Sequence, residues 1–331
     1  MVTKIIAQNE RIVIGTDVHD MKHNVAVVDS EGKIVRETAM PAHRRSWENL
    51  LKKLPGCQVV VVYEAGPHGY NLHDLVEELG HKCVVVAPCK HVGIKTDKRD
   101  ARAIARDYRA GRASLVTVPS FEKRVRRQLT RTRESLKKEV RKLKNQINGI
   151  QRFHGMGGKG LEAVRHDETG YVSQAINALY QAIADIEDKV KDLEKTMKEV
   201  SKEKEYNEDF KTLKGITGVG EATALEVILG VADIRKFSKS KQFSSYLGLC
   251  PGEWSSGNSR RLGHISKRGP GRLRGILVQC AWVRVRYDEK EKHKFAEQSK
   301  RLGKRRAIVA AARRLAVHIW WSLKESTPQA A

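Results

Sequence analysis

Four acidic residues stand where short apolar runs end or a helical run begins: Asp17 in IGTDVHD, Glu64 in VVVVYEAG, and Asp97 and Asp100 in KTDKRDAR. The last two are three residues apart and share one helix face. Carboxylates gathered at one spot repel each other unless divalent cations neutralise them. Mg²⁺ prefers carboxylate oxygens and keeps positions for water and phosphate oxygens, which suits phosphodiester chemistry. Singly, each acid has a plainer use, as a turn former, a solvent-facing strand end or a favourable charge at a helix N-terminus. Asp20 and Asp107 are set aside, the first as a turn residue and the second as a partner in helix-surface charge pairs. A second set lies far along the chain, where Ser255, Ser256, Gly257 and Ser259 precede Arg260, Arg261, His264, Lys267, Arg268, Arg272 and Arg274. A serine in such a cationic loop either grips a phosphate or attacks it, and the residue types leave both open.

The elements that must position these groups follow from periodicity. Alternating or β-rich runs predict strands over 11–18, 24–28, 33–38, 58–64 and 82–87, with helices over 45–54, 70–79 and 96–109. Three strands followed by helix-linked strands is the ribonuclease H-like order. In that layout the first and fourth strands are neighbours, so Asp17, Glu64 and the last helix's Asp97 and Asp100 converge. Residues 120–153 and 171–204 predict two long helices. Ile176, Leu179, Ile183, Ile186, Val190, Leu193, Met197 and Val200 form a heptad seam in the second. Val125, Leu129, Thr132, Leu136, Val140, Leu143, Ile147 and Ile150 follow it less strictly in the first. The Gly-rich stretch between them, with its GMGGKG run, has no preceding strand and is taken as a linker. LKGITGVGEATALEV then has the pattern of a helix-hairpin-helix element, whose turn either receives a phosphate or only connects two helices. The expected organisation is a domain over 1–115, a coiled-coil region over 116–206 and a mostly helical part over 207–331.

The chain has 331 residues, 63 of them Lys or Arg against 39 Asp or Glu, for a net charge of +24. That excess points to a polyanionic partner. It is concentrated late and in one helix: residues 255–331 hold 19 basic and 5 acidic residues, and 121–145 hold 11 and 3. Arg126, Arg127, Arg131 and Arg133, with Arg260, Arg261, Lys267, Arg268, Arg272 and Arg274, are therefore the candidate nucleic-acid contacts. Aromatics are only 6% of the chain, which favours phosphate contacts to duplex over base stacking. No run of 18 apolar residues exists and residues 1–15 lack a signal-peptide layout, so no membrane role is expected. Five cysteines without a CxxC pair fit reduced thiols in a cytosol. Cys83, Cys89, His81 and His91 match no common zinc spacing, and no structural zinc is expected.

IGTDVHD, YEAGPHGY, KTDKRDARAIA, GITGVGEATA, FSSYLGLCPGEWSSG, ISKRGPGRLR and GKRRAIVAAARRL occur together and in this order. In this the chain resembles, almost end to end, the transposases of insertion-sequence family 110, DEDD-type recombinases that act with a bridge RNA. The resemblance implies a RuvC-like N-terminal domain in which Asp17, Glu64, Asp97 and Asp100 form a Mg²⁺-binding tetrad. It also implies that Ser256, directly after Ser255, is the nucleophile of a C-terminal transposase domain. Cleavage and rejoining would pass through a 5′-phosphoserine. Donor DNA, target DNA and the structured guide RNA would be the partners, and a homotetramer, built as a dimer of dimers, the working form. The expected setting is the bacterial cytoplasm, at the nucleoid. The alternatives are a metal-dependent nuclease of the Holliday-junction-resolvase type, in which water attacks, and a nucleic-acid packaging protein without activity.

Overall fold

A computed structural model describes residues 11–88, 97–155, 169–253 and 262–325; at Asp97, Lys98 and Leu262 only the backbone is described. The chain divides into two compact units, Met1–Val118 and Pro119–Ala331.

The first unit is a mixed sheet. Its strands β1 (Arg11–Val18), β2 (Lys22–Val28), β3 (Ile34–Pro41), β4 (Gln58–Glu64), β5 (Lys82–Val86) and β6 (Leu115–Val116) lie in the order β3-β2-β1-β4-β5-β6. The β1–β2, β2–β3 and β5–β6 pairs are antiparallel, and β1–β4 and β4–β5 are parallel. Because side chains alternate along a strand, each strand feeds two layers. Ile12, Ile14, Val25, Val27, Val59, Val61, Tyr63 and Val85 pack with Trp47 of α1 (Arg44–Leu51) and with Leu72 and Val76 of α2 (Asn71–Glu78). Val13, Val28, Val60, Val62 and Val86 pack on the other side with Ile104 and Ala105 of α3 (Asp97–Arg109). The centre of the sheet is thus covered on both faces, which is why the β1 and β4 sequences are nearly continuous apolar runs.

In the second unit, α4 (Phe121–Phe153) and α5 (Tyr171–Lys202) pack antiparallel. Ion pairs Arg126–Glu203, Arg133–Glu194 and Lys144–Glu187 set their register. Ile176, Ile183, Val190 and Met197, one per seven residues, are buried along α5, and Ile176 and Ile183 cluster with Val140 and Ile147 of α4. The expected α4 seam fails over the first twelve residues of the helix. Val125 is 52% exposed and Thr132 is also exposed, whereas Thr130 is buried at 2%. There α4 gains a second partner and runs over α7 (Glu221–Gly230), with the Arg127 guanidinium donating to the Leu229 carbonyl at 2.6 Å. The remaining elements are α6 (Asn207–Lys214), α8 (Ser240–Tyr246), the hairpin of β7 (Pro251–Glu253) and β8 (Leu262–Ile265), α9 (Gly271–Tyr287), α10 (Glu289–Leu302) and α11 (Lys304–Glu325). The helices share one core with α7, around Leu213, Leu225, Leu229, Phe243, Leu247, Leu273, Leu277, Leu315 and Ile319. Among the described residues no helix is long and apolar enough to cross a membrane.

Candidate active site

The β1–β4 ladder pairs Gly15 with Val62 and Thr16 with Tyr63, so Asp17 and Glu64 are the next residue of each strand. Parity puts both on the face that carries Val13, Val62 and α3, and strand spacing separates their backbones by about 5 Å. Both side chains are half-buried. Gly15 brings α3 onto the same spot: a Cβ there would lie 2.1 Å from the Ala101 carbonyl oxygen and 2.8 Å from the Ala105 Cβ, so only glycine admits the helix this closely. The far end of α3 is tied down where the Arg109 guanidinium donates to the Ser30 carbonyl at 2.6 Å, in the β2–β3 turn. The helix therefore runs opposite to β1 and presents its N-terminal end, with Asp97 and Asp100, towards the C-terminal ends of β1 and β4. Arg102 clamps this placement through a bidentate pair with Glu37 of β3. Asp100 is half-buried; the side chain of Asp97 lies outside the described atoms.

Replacing Gly15 by Ala should test this positioning. The helix backbone must shift to make room, and strand cleavage is expected to fall at least about a hundredfold while the protein stays folded at lower stability, readable by parallel activity and thermal-melt measurements. An active, equally stable variant would show that α3 does not need its close approach.

Sequence reasoning passed over three histidines: His19 directly after β1, His68 in the turn after β4, and His23 of β2. His19 Nε2 lies 3.0 Å from Asp17 Oδ2, and His68 Nδ1 lies 3.0 Å from Asp20 Oδ1. The His19 and His68 rings meet edge to face with centroids 6.5 Å apart. The available signal was the spacing of His19 two residues after the acid and the GPHG turn one residue beyond the β4 carboxylate. That turn is pinned by the Tyr63 hydroxyl, which donates to the Gly69 carbonyl at 3.1 Å. Asp107, set aside from the sequence, pairs with Arg112 at 2.6 Å. His23 points to the opposite face, buried, and accepts the Trp47 indole N–H at 3.0 Å. Burial, and then the neighbouring His68 and His19, push its pKa down to about 4.

His23 thus stays neutral when folded but takes a proton below its ordinary pKa when unfolded. Its contribution to stability is present above about pH 6.5 and is lost as the pH falls to about 4. The total is on the order of 3 kcal/mol. Denaturant titrations across that window should show this loss in the wild type and a smaller one in His23→Gln, whose amide oxygen can still accept from Trp47. Equal pH dependence in both proteins would contradict the assignment.

Asp17, Glu64 and Asp100 offer only oxygen donors, which suits a hard cation such as Mg²⁺. Among the described residues no three His, Cys, Asp or Glu side chains already enclose a metal position. Cys83, considered above for zinc, is a core residue of β5, its thiol pushed up to about 12 by burial and then by Glu77. Cys89 and His91 lie outside the described residues.

Ser255 and Ser256, with Arg260 and Arg261, also lie outside the described residues, in the segment that joins β7 to β8. The base of that hairpin is built in detail. Gly248 and Gly269 have φ of +68° and +71°, and a Cβ on them would sit 2.2 Å from the Arg268 carbonyl oxygen and 1.9 Å from the Tyr246 carbonyl oxygen. The chain after β8 consequently packs onto the end of α8, with the Ser266 N–H donating to Cys250 O at 2.8 Å. Arg274 braces the same place by donating to the Leu247 and Arg268 carbonyls at 2.9 and 3.1 Å. In the α6–α7 hairpin, Gly218 (φ +92°) admits the backbone of α9, since a Cβ would lie 2.6 Å from the Cys280 carbonyl oxygen. That glycine serves packing.

The candidate nucleic-acid contacts separate by partner. Arg126 pairs with Glu203, which raises its pKa, Arg127 binds the Leu229 carbonyl, and Arg133 pairs with Glu194. Arg272 reaches both Glu226, at 2.8 Å, and the Thr130 carbonyl. Arg131, Lys267 and Arg268 are exposed. Lys138 and Arg141, which the sequence reading did not select, are exposed as well, and spacings of seven and three put them on one face with Arg131.

Neutralising Arg131, Lys138 and Arg141 together to Gln should weaken DNA binding and flatten its log–log salt dependence by up to about 0.9 per phosphate no longer neutralised. The same change at Arg126, Arg127 and Arg133 should leave the slope nearly intact and instead cost about 1–3 kcal/mol of stability. Anisotropy titrations over a salt series, paired with melts, separate the two sets; a larger slope change in the second set would reverse the assignment.

Comparison with known proteins bears on what this arrangement does. Residues 14–152 match the DEDD_Tnp_IS110 family, described as a transposase, and residues 210–297 match the Transposase_20 family, described as the IS116/IS110/IS902 family of transposases. The putative transposase y4qE of Sinorhizobium fredii is 30% identical over 85% of this chain and 73% of its own length. The transposase for insertion sequence element IS1111A of Coxiella burnetii is 30% identical over 93% of this chain and 88% of its own. The pilin gene-inverting protein of Moraxella bovis is 24% identical over 79% and 84%. With both matched regions falling on the two parts that carry the candidate groups, the chain belongs to the IS110 family of transposases.

Proposed function

We propose that this transposase is an RNA-guided DNA recombinase that breaks and rejoins strands through a 5′-phosphoserine on Ser256, assisted by Mg²⁺ at Asp17, Glu64, Asp97 and Asp100. The observation that carries the proposal is the convergence of Asp17, Glu64 and the N-terminal end of α3 on one face of the sheet. The strand order supports a ribonuclease H-like, RuvC-like reading of the first unit. When bound, Mg²⁺ would offset charge on the phosphate oxygens. The protein's own groups do the rest. Gly15 and Arg102 hold α3 with its N-terminal end towards the strand ends, and His19 stands 3.0 Å from one oxygen of Asp17. Gly248, Gly269 and Arg274 brace the base of the β7–β8 hairpin, whose connecting segment includes Ser256 in sequence.

Attack of the Ser256 hydroxyl on a backbone phosphate forms the serine ester and breaks the bond to the 3′-oxygen, which leaves as a 3′-hydroxyl carrying the proton. A second 3′-hydroxyl then attacks the serine ester, forms the new junction and returns the serine hydroxyl. One ester replaces another at each step, so no ATP is needed. Guide RNA, donor and target DNA and the homotetramer enter from the family resemblance. One relative is named for inverting a gene, and an inversion leaves no free ends, which favours rejoining over hydrolysis.

The test is to incubate protein, guide RNA and paired donor and target duplexes with Mg²⁺ and no ATP, and to sequence the products. Recombinant junctions are the expected result. Cut ends without junctions would replace the proposal by a hydrolytic nuclease of the Holliday-junction-resolvase type.

A further inference from the structure

The seven residues KRLGKRR join α10 to α11, and five of them, Lys300, Arg301, Lys304, Arg305 and Arg306, are cationic and exposed. Among the described residues no ion pair or side-chain hydrogen bond engages any of the five. Nearby arginines of the same helices behave differently. Arg314 is held by Glu291 at 2.8 Å and by Gln298 at 2.8 Å, locking α10 onto α11. Gly303, at φ +77°, makes the turn tight enough that its carbonyl accepts from both the Arg306 and Ala307 N–H groups. Behind it Ala307, Ile308, Ala311 and Ala312 are buried, so the cations stand on an anchored platform.

The placement of three of them opposes the stability of their own helix. Lys304, Arg305 and Arg306 open α11, where the helix dipole disfavours positive charge and no acid stands in the first turn. Lys300 and Arg301 in the last turn of α10 add like charge across a one-residue turn. Lys300 and Arg301 suit the C-terminus of α10, but the three cations that open α11 oppose its dipole, and five like charges within seven residues repel one another with no acid among them, a strain that an external polyanion would relieve. None of the seven residues is aromatic, so the site has no platform for stacking unpaired bases.

We infer that the α10–α11 turn is a phosphate clamp for the backbone of duplex DNA. It rests on this family acting on DNA and does not depend on the phosphoserine chemistry. A rigid turn with five cations on a chain of net charge +24 would dock duplex by phosphate contacts alone, without reading sequence.

The test replaces Lys300, Arg301, Lys304, Arg305 and Arg306 by Gln together in the full chain and measures binding of a labelled duplex of arbitrary sequence, without guide RNA, across a salt series. Duplex affinity should fall at least about tenfold and the log–log slope by about 0.9 for each phosphate that the variant no longer neutralises. The melting temperature should stay nearly the same, because relief of the repulsion and of the unfavourable charge at the start of α11 offsets the loss of two charges that suit the end of α10. Unchanged duplex affinity and slope would overturn the clamp. So would a weakening confined to a structured RNA probe, or a fall in melting temperature large enough to make the cluster structural. Because the assay needs neither cleavage nor guide RNA, its outcome is independent of whether Ser256 reacts.

Discussion

Asp17→Asn should lower strand cleavage at least about a thousandfold, equivalent to roughly 4 kcal/mol of transition-state stabilisation, while the protein still folds and binds DNA. The same holds for Glu64→Gln, Asp97→Asn and Asp100→Asn, each change keeping the shape of the side chain and removing its charge. Asp17 and Glu64 end neighbouring parallel strands on the α3 face, and their half-buried side chains hold up no core. Asp29 provides the contrast on the same sheet. It is 1% exposed and accepts the Glu31 and Lys33 N–H groups at 3.1 and 2.8 Å, closing the β2–β3 turn. Asp29→Ala should therefore destabilise the first unit by about 1–3 kcal/mol and reduce cleavage only as far as it reduces folded protein. Rates measured per folded molecule in Mg²⁺ check both. Near wild-type cleavage by Asp17→Asn, or cleavage that persists in excess chelator, would remove the carboxylates from the chemistry.

Ser256→Ala should have an effect of the same size for a different reason. It takes away the attacking oxygen and leaves the hairpin base intact, since Gly248, Gly269 and Arg274 hold that base through backbone groups. Cleavage and rejoining should both vanish with unchanged melting temperature and unchanged duplex affinity. Ser255→Ala should lower the rate only modestly, because it removes a neighbour and not the nucleophile.

The sheet was legible because alternation and burial follow from the same side chains. The run 11–18 and the run 58–64 are β1 and β4 to the residue, and the helix expected over 96–109 is α3 from Asp97. Parity of Asp17 and Glu64 followed directly from those boundaries. What the sequence did not disclose were interactions whose periodicity is absent or ambiguous. Strand β6 has two residues and β7 three, too short for alternation to register. Within the basic helix, composition says nothing about facing. Arg126 and Arg133 turn to Glu203 and Glu194 at the C-terminal end of α5, and Arg127 turns to Leu229 where α4 also crosses α7, a second partner that no heptad pattern encodes. Gly15 is similar: as a lone glycine in a strand it signals a close approach, but only the position of Ala101 shows what approaches.

The central claim, that Ser256 carries the DNA phosphate, is tested most directly by trapping. The protein is incubated with guide RNA, Mg²⁺ and a nicked substrate that lets the 3′-hydroxyl fragment diffuse away, then denatured, digested and mapped by mass spectrometry. A nucleotide attached through its 5′-phosphate to residue 256, absent in Ser256→Ala and in Asp17→Asn, is the result the account predicts. DNA cut in Mg²⁺ with no covalent adduct under any trapping condition, and cut equally well by Ser256→Ala, would contradict it.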